Sequence, residues 1–239
     1  GLGKTIEAGI VITQYWAERK RQILVIAPSS LRQQWKQELY EKFLIPSELL
    51  DSKSKDRLLQ AQSSSNKAQV LICSYEFVLR HEASLSRHWD LVVADEAHRL
   101  RNYWNGSRAK VPSDVARLVQ NASKTVLLTA TPLQNRLDEL YGLVSVFDPD
   151  YFYSLEAFRE RYVKNRYSYG DDDLVDRVAT ISKRTLRRDA DKYIRFTKRS
   201  PLTVEFTPSP DEARLYDLVN DYLQRDELFA FADSQRHLS

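Results

Sequence analysis

Three short clusters carry residue types that could do chemistry together. The first is Gly1-Leu2-Gly3-Lys4-Thr5. Glycines let backbone N–H groups approach phosphate oxygens, a lysine reaches the β and γ phosphates, and the neighbouring hydroxyl suits Mg²⁺. A helix starting near Ile6 would add its positive N-terminal end. Alone, this pentapeptide is explained about as well by an ordinary glycine turn. The second cluster, Asp95-Glu96-Ala97-His98, follows the apolar run Leu91-Val92-Val93-Ala94. A carboxylate at a strand tip can hold Mg²⁺, and the next can orient or deprotonate an attacking water. Adjacent acids are common on solvated surfaces, but that reading does not account for their place at the end of a fully apolar run. The third, Thr129-Ala130-Thr131-Pro132, delivers two hydroxyls after Val126-Leu127-Leu128, and the proline ends the run. The three in this order are far more specific than any one, and together they read as a site that hydrolyses a nucleoside triphosphate.

Positioning such a site needs a sheet whose strands all point the same way. Residues 23–27, 70–73, 91–94 and 126–128 are short, apolar and rich in branched residues, the pattern of strands buried on both faces of a parallel sheet. Leu31, Trp35, Leu39 and Phe43 recur every four residues and predict one helix stripe, with Trp35 as a core residue. A second helix follows the glycines through residues 6–16. Alternating strands and helices predict an α/β fold, a doubly wound, mostly parallel sheet with helices on both faces, with the site at the carboxyl ends of the strands. Residues 50–67 and 101–112 read as polar surface connections, the former with one short helix. Beyond residue 149 the character changes: an aromatic helical stretch (Tyr151, Phe152, Tyr153, Phe158, Tyr162, Tyr167, Tyr169), a break at Gly170-Asp171-Asp172-Asp173, a strand over 202–206, and a helix over 209–229 capped by Ser209 with Glu212. The domains expected are an ATP-binding lobe over 1–150 and a helical extension with a connecting segment over 151–239.

Composition excludes several classes. The net charge of +3 announces no nucleic-acid binder, so any basic surface must be local. The single cysteine, Cys73, lies in an apolar run, excludes a disulfide framework and fits the reducing cytoplasm. No apolar stretch reaches membrane-spanning length. The chain has no methionine and starts inside the glycine loop, and it reads as a fragment.

The sequence resembles superfamily-two helicases, and within them the Swi/Snf-type DNA translocases of the bacterial RapA-like branch. Residues Gly1 to Gly9 are similar to that family's motif I. Ile26-Ala27-Pro28-Ser29-Ser30-Leu31 with Gln34-Trp35 and Glu38 is similar to motif Ia, Asp95 to Asn102 to motif II, and Leu128-Thr129-Ala130-Thr131-Pro132-Leu133-Gln134-Asn135 to motif III. The resemblance covers essentially the whole chain and implies a P-loop, RecA-like first lobe. It implies that Gly1 and Gly3 shape the loop, that Lys4 binds phosphates, that Thr5 and Asp95 hold Mg²⁺, and that Glu96 positions the hydrolytic water. His98, Thr129 and Thr131 would couple ATP to the nucleic-acid grip. Pro28, Ser29, Ser30, Ser74 and Tyr75 would face the nucleic acid, with Tyr75 balanced between that face and the core.

ATP and Mg²⁺ are the cofactors implied. Double-stranded DNA is the expected partner, RNA a second, a protein–nucleic-acid complex a potential cargo, and the bacterial nucleoid the expected place. The second lobe, which in this family supplies an arginine finger, lies outside this sequence, so the fragment should hydrolyse ATP poorly by itself. The basic tract 183–199 reads first as a brace between lobes and second as a phosphate contact. A strand-separating DEAH-type helicase and a non-hydrolysing interaction module stay open as alternatives. The trio Lys4, Asp95 and Glu96 argues against the latter.

Overall fold

The computed structural model describes residues 3–62, 69–105, 110–164, 170–184 and 202–223. The chain falls into two compact units, Gly1–Ala190 and Asp191–Ser239. In the first, the order is α1 (Lys4–Ala17), β1 (Ile23–Ala27), α2 (Arg32–Phe43), β2 (Ser47–Leu49), α3 (Lys55–Gln62), β3 (Val70–Ser74), α4 (Tyr75–Leu85) and β4 (Leu91–Ala94). A 3₁₀ turn (Ala97–Leu100) follows, then α5 (Lys110–Gln120), β5 (Thr125–Leu127), α6 (Asp138–Ser145), α7 (Leu155–Phe158), which continues as a π-helical stretch (Arg159–Lys164), and α8 (Gly170–Ile181). The five strands form one parallel sheet in the order β2-β3-β1-β4-β5.

The apolar runs are explained by burial on both faces. Along β1, Leu24 and Ile26 join the core under α4 and α5, while Ile23, Val25 and Ala27 join the core under α1 and α2. Successive strand side chains point to opposite faces, so a central strand covered on both sides has no position left for a polar residue. Strand β2 was not expected. It is a three-residue edge, too short to show a pattern. A third, smaller core gathers Val144, Phe152, Phe158, Tyr162 and Leu174, with Tyr151 packed on it, which places these aromatics against α6, while Tyr153 is exposed. Tyr167 and Tyr169 lie outside the described residues.

Two sequence expectations are corrected. The acidic run after Gly170 begins α8 rather than breaking a helix. Asp173 lies in its early turns, where carboxylates are favoured, and accepts from the Tyr162 hydroxyl at 2.6 Å. Residues 202–206 join no ladder among the described residues, because alternation alone makes no strand without a neighbour to bond. In the second unit α9 (Pro210–Leu223) carries the expected capping box: the Ser209 N–H donates to Glu212 Oε2 at 2.8 Å, and the Glu212 N–H to Ser209 Oγ at 3.4 Å.

Candidate active site

The carboxyl ends of β1, β3 and β4 and the start of α1 supply the candidate side chains. Gly3 caps α1 with φ +86°, a conformation that favours glycine, and nothing would meet a Cβ there. Its role is therefore backbone shape and not packing. Its carbonyl accepts from the Ile6 and Glu7 amides, opening the helix and placing Lys4 and Thr5 in the first turn. Gly1 lies outside the described residues.

Asp95 is buried at the end of β4, and its amide donates to the Ile26 carbonyl at 2.8 Å. Glu96 has φ +51°, uncommon for a residue with a Cβ and costly unless its surroundings hold it. They do: the Glu96 amide donates to Asp95 Oδ1 (2.8 Å), the Ala97 amide to the Leu128 carbonyl (2.8 Å), and the Tyr75 hydroxyl to the Asp95 carbonyl (2.6 Å). The turn aims the Glu96 carboxylate at Lys4, whose Nζ is 3.7 Å from Oε1. His98 Nδ1 lies 3.0 Å from Oε2, although the ring N–H does not align with it as a hydrogen bond. Lys4, Glu96 and His98 are thus brought together, with Asp95 behind them.

Thr129 accepts from the Thr131 amide (3.1 Å), shaping the turn after β5. Glu139, which no sequence signal singled out, is buried and accepts from the amides of Gln134 (2.7 Å) and Asn135 (3.4 Å). Arg101 donates to Gln134 Oε1 at 2.6 Å, so the segment after Asp95-Glu96 is tied to the segment after Thr131.

The five residues expected on a nucleic-acid face divide. Ser29 and Ser30 are exposed and Pro28 is half-buried. Ser74 is buried, and its hydroxyl caps α4 by accepting from the Phe77 amide (3.1 Å). Tyr75 is 1% exposed with its hydroxyl committed to Asp95. The balance at Tyr75 therefore falls to the core, and neither residue presents a free group to a track. The signal that could have sorted them is their place directly after a fully apolar strand. Glu76 ties Ser29 and Arg99 together beside them. Ser29 Oγ donates to Glu76 Oε2 and Arg99 Nη2 to Oε1, both at 2.9 Å, and the guanidinium lies 4.8 Å from the Tyr75 ring centroid. Of the basic tract only Lys183 and Arg184 are among the described residues.

The Glu76 carboxyl is held at about 2 by its own amide in the first turn of α4, then by Arg99 and the hydroxyls of Ser29 and Ser74, against burial, which pushes it up. Because the folded value is depressed, this contribution to stability is present above pH 4.5 and is lost as pH falls from there toward about 2. Glu76→Gln is expected to lower stability at neutral pH and to flatten the acid limb, with its difference from wild type disappearing as pH falls from 4.5 toward about 2, as read from urea midpoints against pH.

An acidic strand end beside a lysine and a hydroxyl fits Mg²⁺ held by one or two carboxylates together with substrate phosphates. Such an ion needs no cage of three acidic or imidazole ligands, and no such group occurs among the described residues.

Residues 1–237 match the SNF2-related domain. The chain belongs to the SNF2-related family. This SNF2-related chain is 35% identical over 225 residues to the uncharacterized ATP-dependent helicase YqhH of Bacillus subtilis, covering 92% of the chain and 37% of that protein. It is 35% identical over 170 residues to the RNA polymerase-associated protein RapA of Vibrio atlanticus, covering 67% of the chain and 17% of RapA. The SNF2-related chain thus spans well under half the length of these relatives. Among solved structures, the Sulfolobus solfataricus SWI2/SNF2 ATPase core in complex with dsDNA superposes with a TM-score of 0.61 at 20% identity, over 75% of this chain and 37% of that one. The Sulfolobus solfataricus SWI2/SNF2 ATPase core domain gives 0.61 at 20% identity over 95% of this chain and 46% of that one. The fold is the first RecA-like lobe of the superfamily-two helicase type. ATP hydrolysis belongs to this family at large.

Proposed function

We propose that this lobe binds ATP with Mg²⁺ and drives translocation along double-stranded DNA, with hydrolysis completed by a second lobe. The observation that carries the reading is the convergence of Lys4, Glu96 and His98 on one point at the sheet's carboxyl edge, with Asp95 buried beneath. Lys4 takes the terminal phosphates, Thr5 and Asp95 hold the metal, and Glu96 positions water. Held by Thr5 and Asp95, Mg²⁺ would supply positive charge against the negative charge that develops during phosphoryl transfer. Lys4 Nζ lies 3.7 Å from Glu96 Oε1, so a phosphate taken by Lys4 would compete with that carboxylate.

Coupling runs through His98 and the Thr129–Thr131 turn, which Arg101 and Gln134 link to the acidic turn. The track is met by Pro28, Ser29 and Ser30, where hydroxyls and amides suit phosphate contacts that position without reading sequence. The DNA-bound state of the Sulfolobus core supports duplex DNA as the track. The name of RapA makes a transcription complex a candidate cargo. The lobe is taken as residues 1–150 with 151–239 as extension and connection, working in the cytoplasm at the nucleoid. No helix among the described residues is long and apolar enough to cross a membrane.

The test is steady-state ATPase of the full-length protein with double-stranded DNA, single-stranded DNA and RNA. Duplex DNA should stimulate most, and stimulation by RNA alone would overturn the reading.

A further inference from the structure

Two tryptophans of the core spend their indole N–H groups differently. Trp89 donates to the Leu85 carbonyl at 3.0 Å, a local bond inside its own neighbourhood. Trp35 donates to Asp95 Oδ2 at 2.9 Å, across 60 residues of sequence and between two side chains that are 2% and 6% exposed. For filling the space under α2 a phenylalanine would serve, and a buried indole makes sense where its N–H has a partner. Asp95 Oδ1 meanwhile accepts from the Glu96 amide at 2.8 Å. One donor on each carboxylate oxygen fixes the rotation of the group about Cβ–Cγ, while each oxygen keeps a lone pair for another ligand.

We infer that Trp35 is a positioning residue for the metal-side carboxylate: its N–H holds Asp95 in the orientation in which it receives Mg²⁺. The inference rests on the proposed role of Asp95 and deepens it. A carboxylate that binds an ion commonly depends on a hydrogen bond from behind, and losing such a partner costs about 10–100-fold in metal affinity or activity. Helix α2 thereby becomes part of the nucleotide site, although its outer face is occupied with pairs of its own, such as Gln34–Glu38 and Lys36–Glu48.

The experiment compares binding of a fluorescent ATP analogue to the full-length protein in Mg²⁺ and in EDTA, for wild type and Trp35→Phe. A second variant replaces the Trp35 indole by benzothiophene, which deletes the N–H and keeps the bicyclic shape, so the result does not depend on the smaller ring being tolerated. The affinity gained from Mg²⁺ should fall by about 10-fold or more in both variants, with affinity in EDTA unchanged. In an Asp95→Asn background Trp35→Phe should have no further effect, the signature of two residues acting as one unit. Equal losses with and without Mg²⁺ would make Trp35 merely structural and overturn the inference, as would an undiminished Mg²⁺ gain in both variants. If wild type itself gains nothing from Mg²⁺, the metal role of Asp95 falls and the inference falls with it.

Discussion

Glu96→Gln in the full-length protein is expected to lower ATP turnover by about 10²–10⁴-fold, the range that a positioned general base contributes. Nucleotide affinity should hold or improve. In the structure Lys4 Nζ lies 3.7 Å from Glu96 Oε1, so a triphosphate must draw the lysine away from a carboxylate before it can use it. Removing that charge frees Lys4 and also removes a repulsion with the phosphates. Lys4→Ala should behave in the opposite way, losing affinity and turnover together because the phosphates lose their cation. The pair of variants separates binding from chemistry, with binding measured by titration of a labelled nucleotide and chemistry by single-turnover hydrolysis. If Glu96→Gln weakened binding as much as Lys4→Ala, the carboxylate would be a ligand support and the water-positioning role would fail.

The second large effect is expected at Gly142, which belongs to no motif but packs against the segment after Asp95-Glu96. A Cβ on this residue of α6 would overlap the Arg101 carbonyl oxygen and lie 2.8 Å from Trp104 Cδ1 and 3.0 Å from the Arg101 carbonyl carbon. The obstruction is backbone, which cannot swing aside as a long side chain does. Gly142→Ala should therefore destabilise by about 1–3 kcal/mol, the usual cost of overpacking, seen as a lower thermal midpoint. It should also lower turnover, because the displaced segment leads directly out of Asp95-Glu96-Ala97-His98 and carries Arg101, which holds Gln134. Gly9→Ala is the informative contrast. Its Cβ would overlap the Phe43 ring, a side chain at the end of α2 that can turn, so the loss should be smaller. Equal stability of wild type and Gly142→Ala would show that the 3₁₀ turn yields freely.

The two variants fail in different places, and the difference marks how far the sequence alone reaches. The placement of Lys4, Asp95 and Glu96 as candidates was legible because each stands in a contiguous motif tied to a strand end or helix start, and local patterning fixes those ends. The core strands were legible for the same reason: 23–27 and 91–94 are apolar throughout, which only a sheet covered on both faces requires. Strand β2 was not, since three residues carry no period. The expected strand over 202–206 had the alternation but no ladder among the described residues. Ladders are made by partners, and a period cannot supply one.

The site's supports belong to the tertiary structure. Nothing in Gln34-Trp35 or Ser74-Tyr75 says that an indole N–H meets Asp95 Oδ2, or that a phenol meets the Asp95 carbonyl, because both bonds join segments brought adjacent only by the strand order β3-β1-β4. The same holds for Glu139 beneath the Gln134 amide and for Arg159, which donates to both oxygens of the buried Asp138 at 3.0 Å. The sequence marked which groups are candidates for the chemistry, since those must be of fixed type at fixed spacing. The packing decided what holds them still, since a hydrogen-bond donor from any element serves once the chain brings it within about 3 Å.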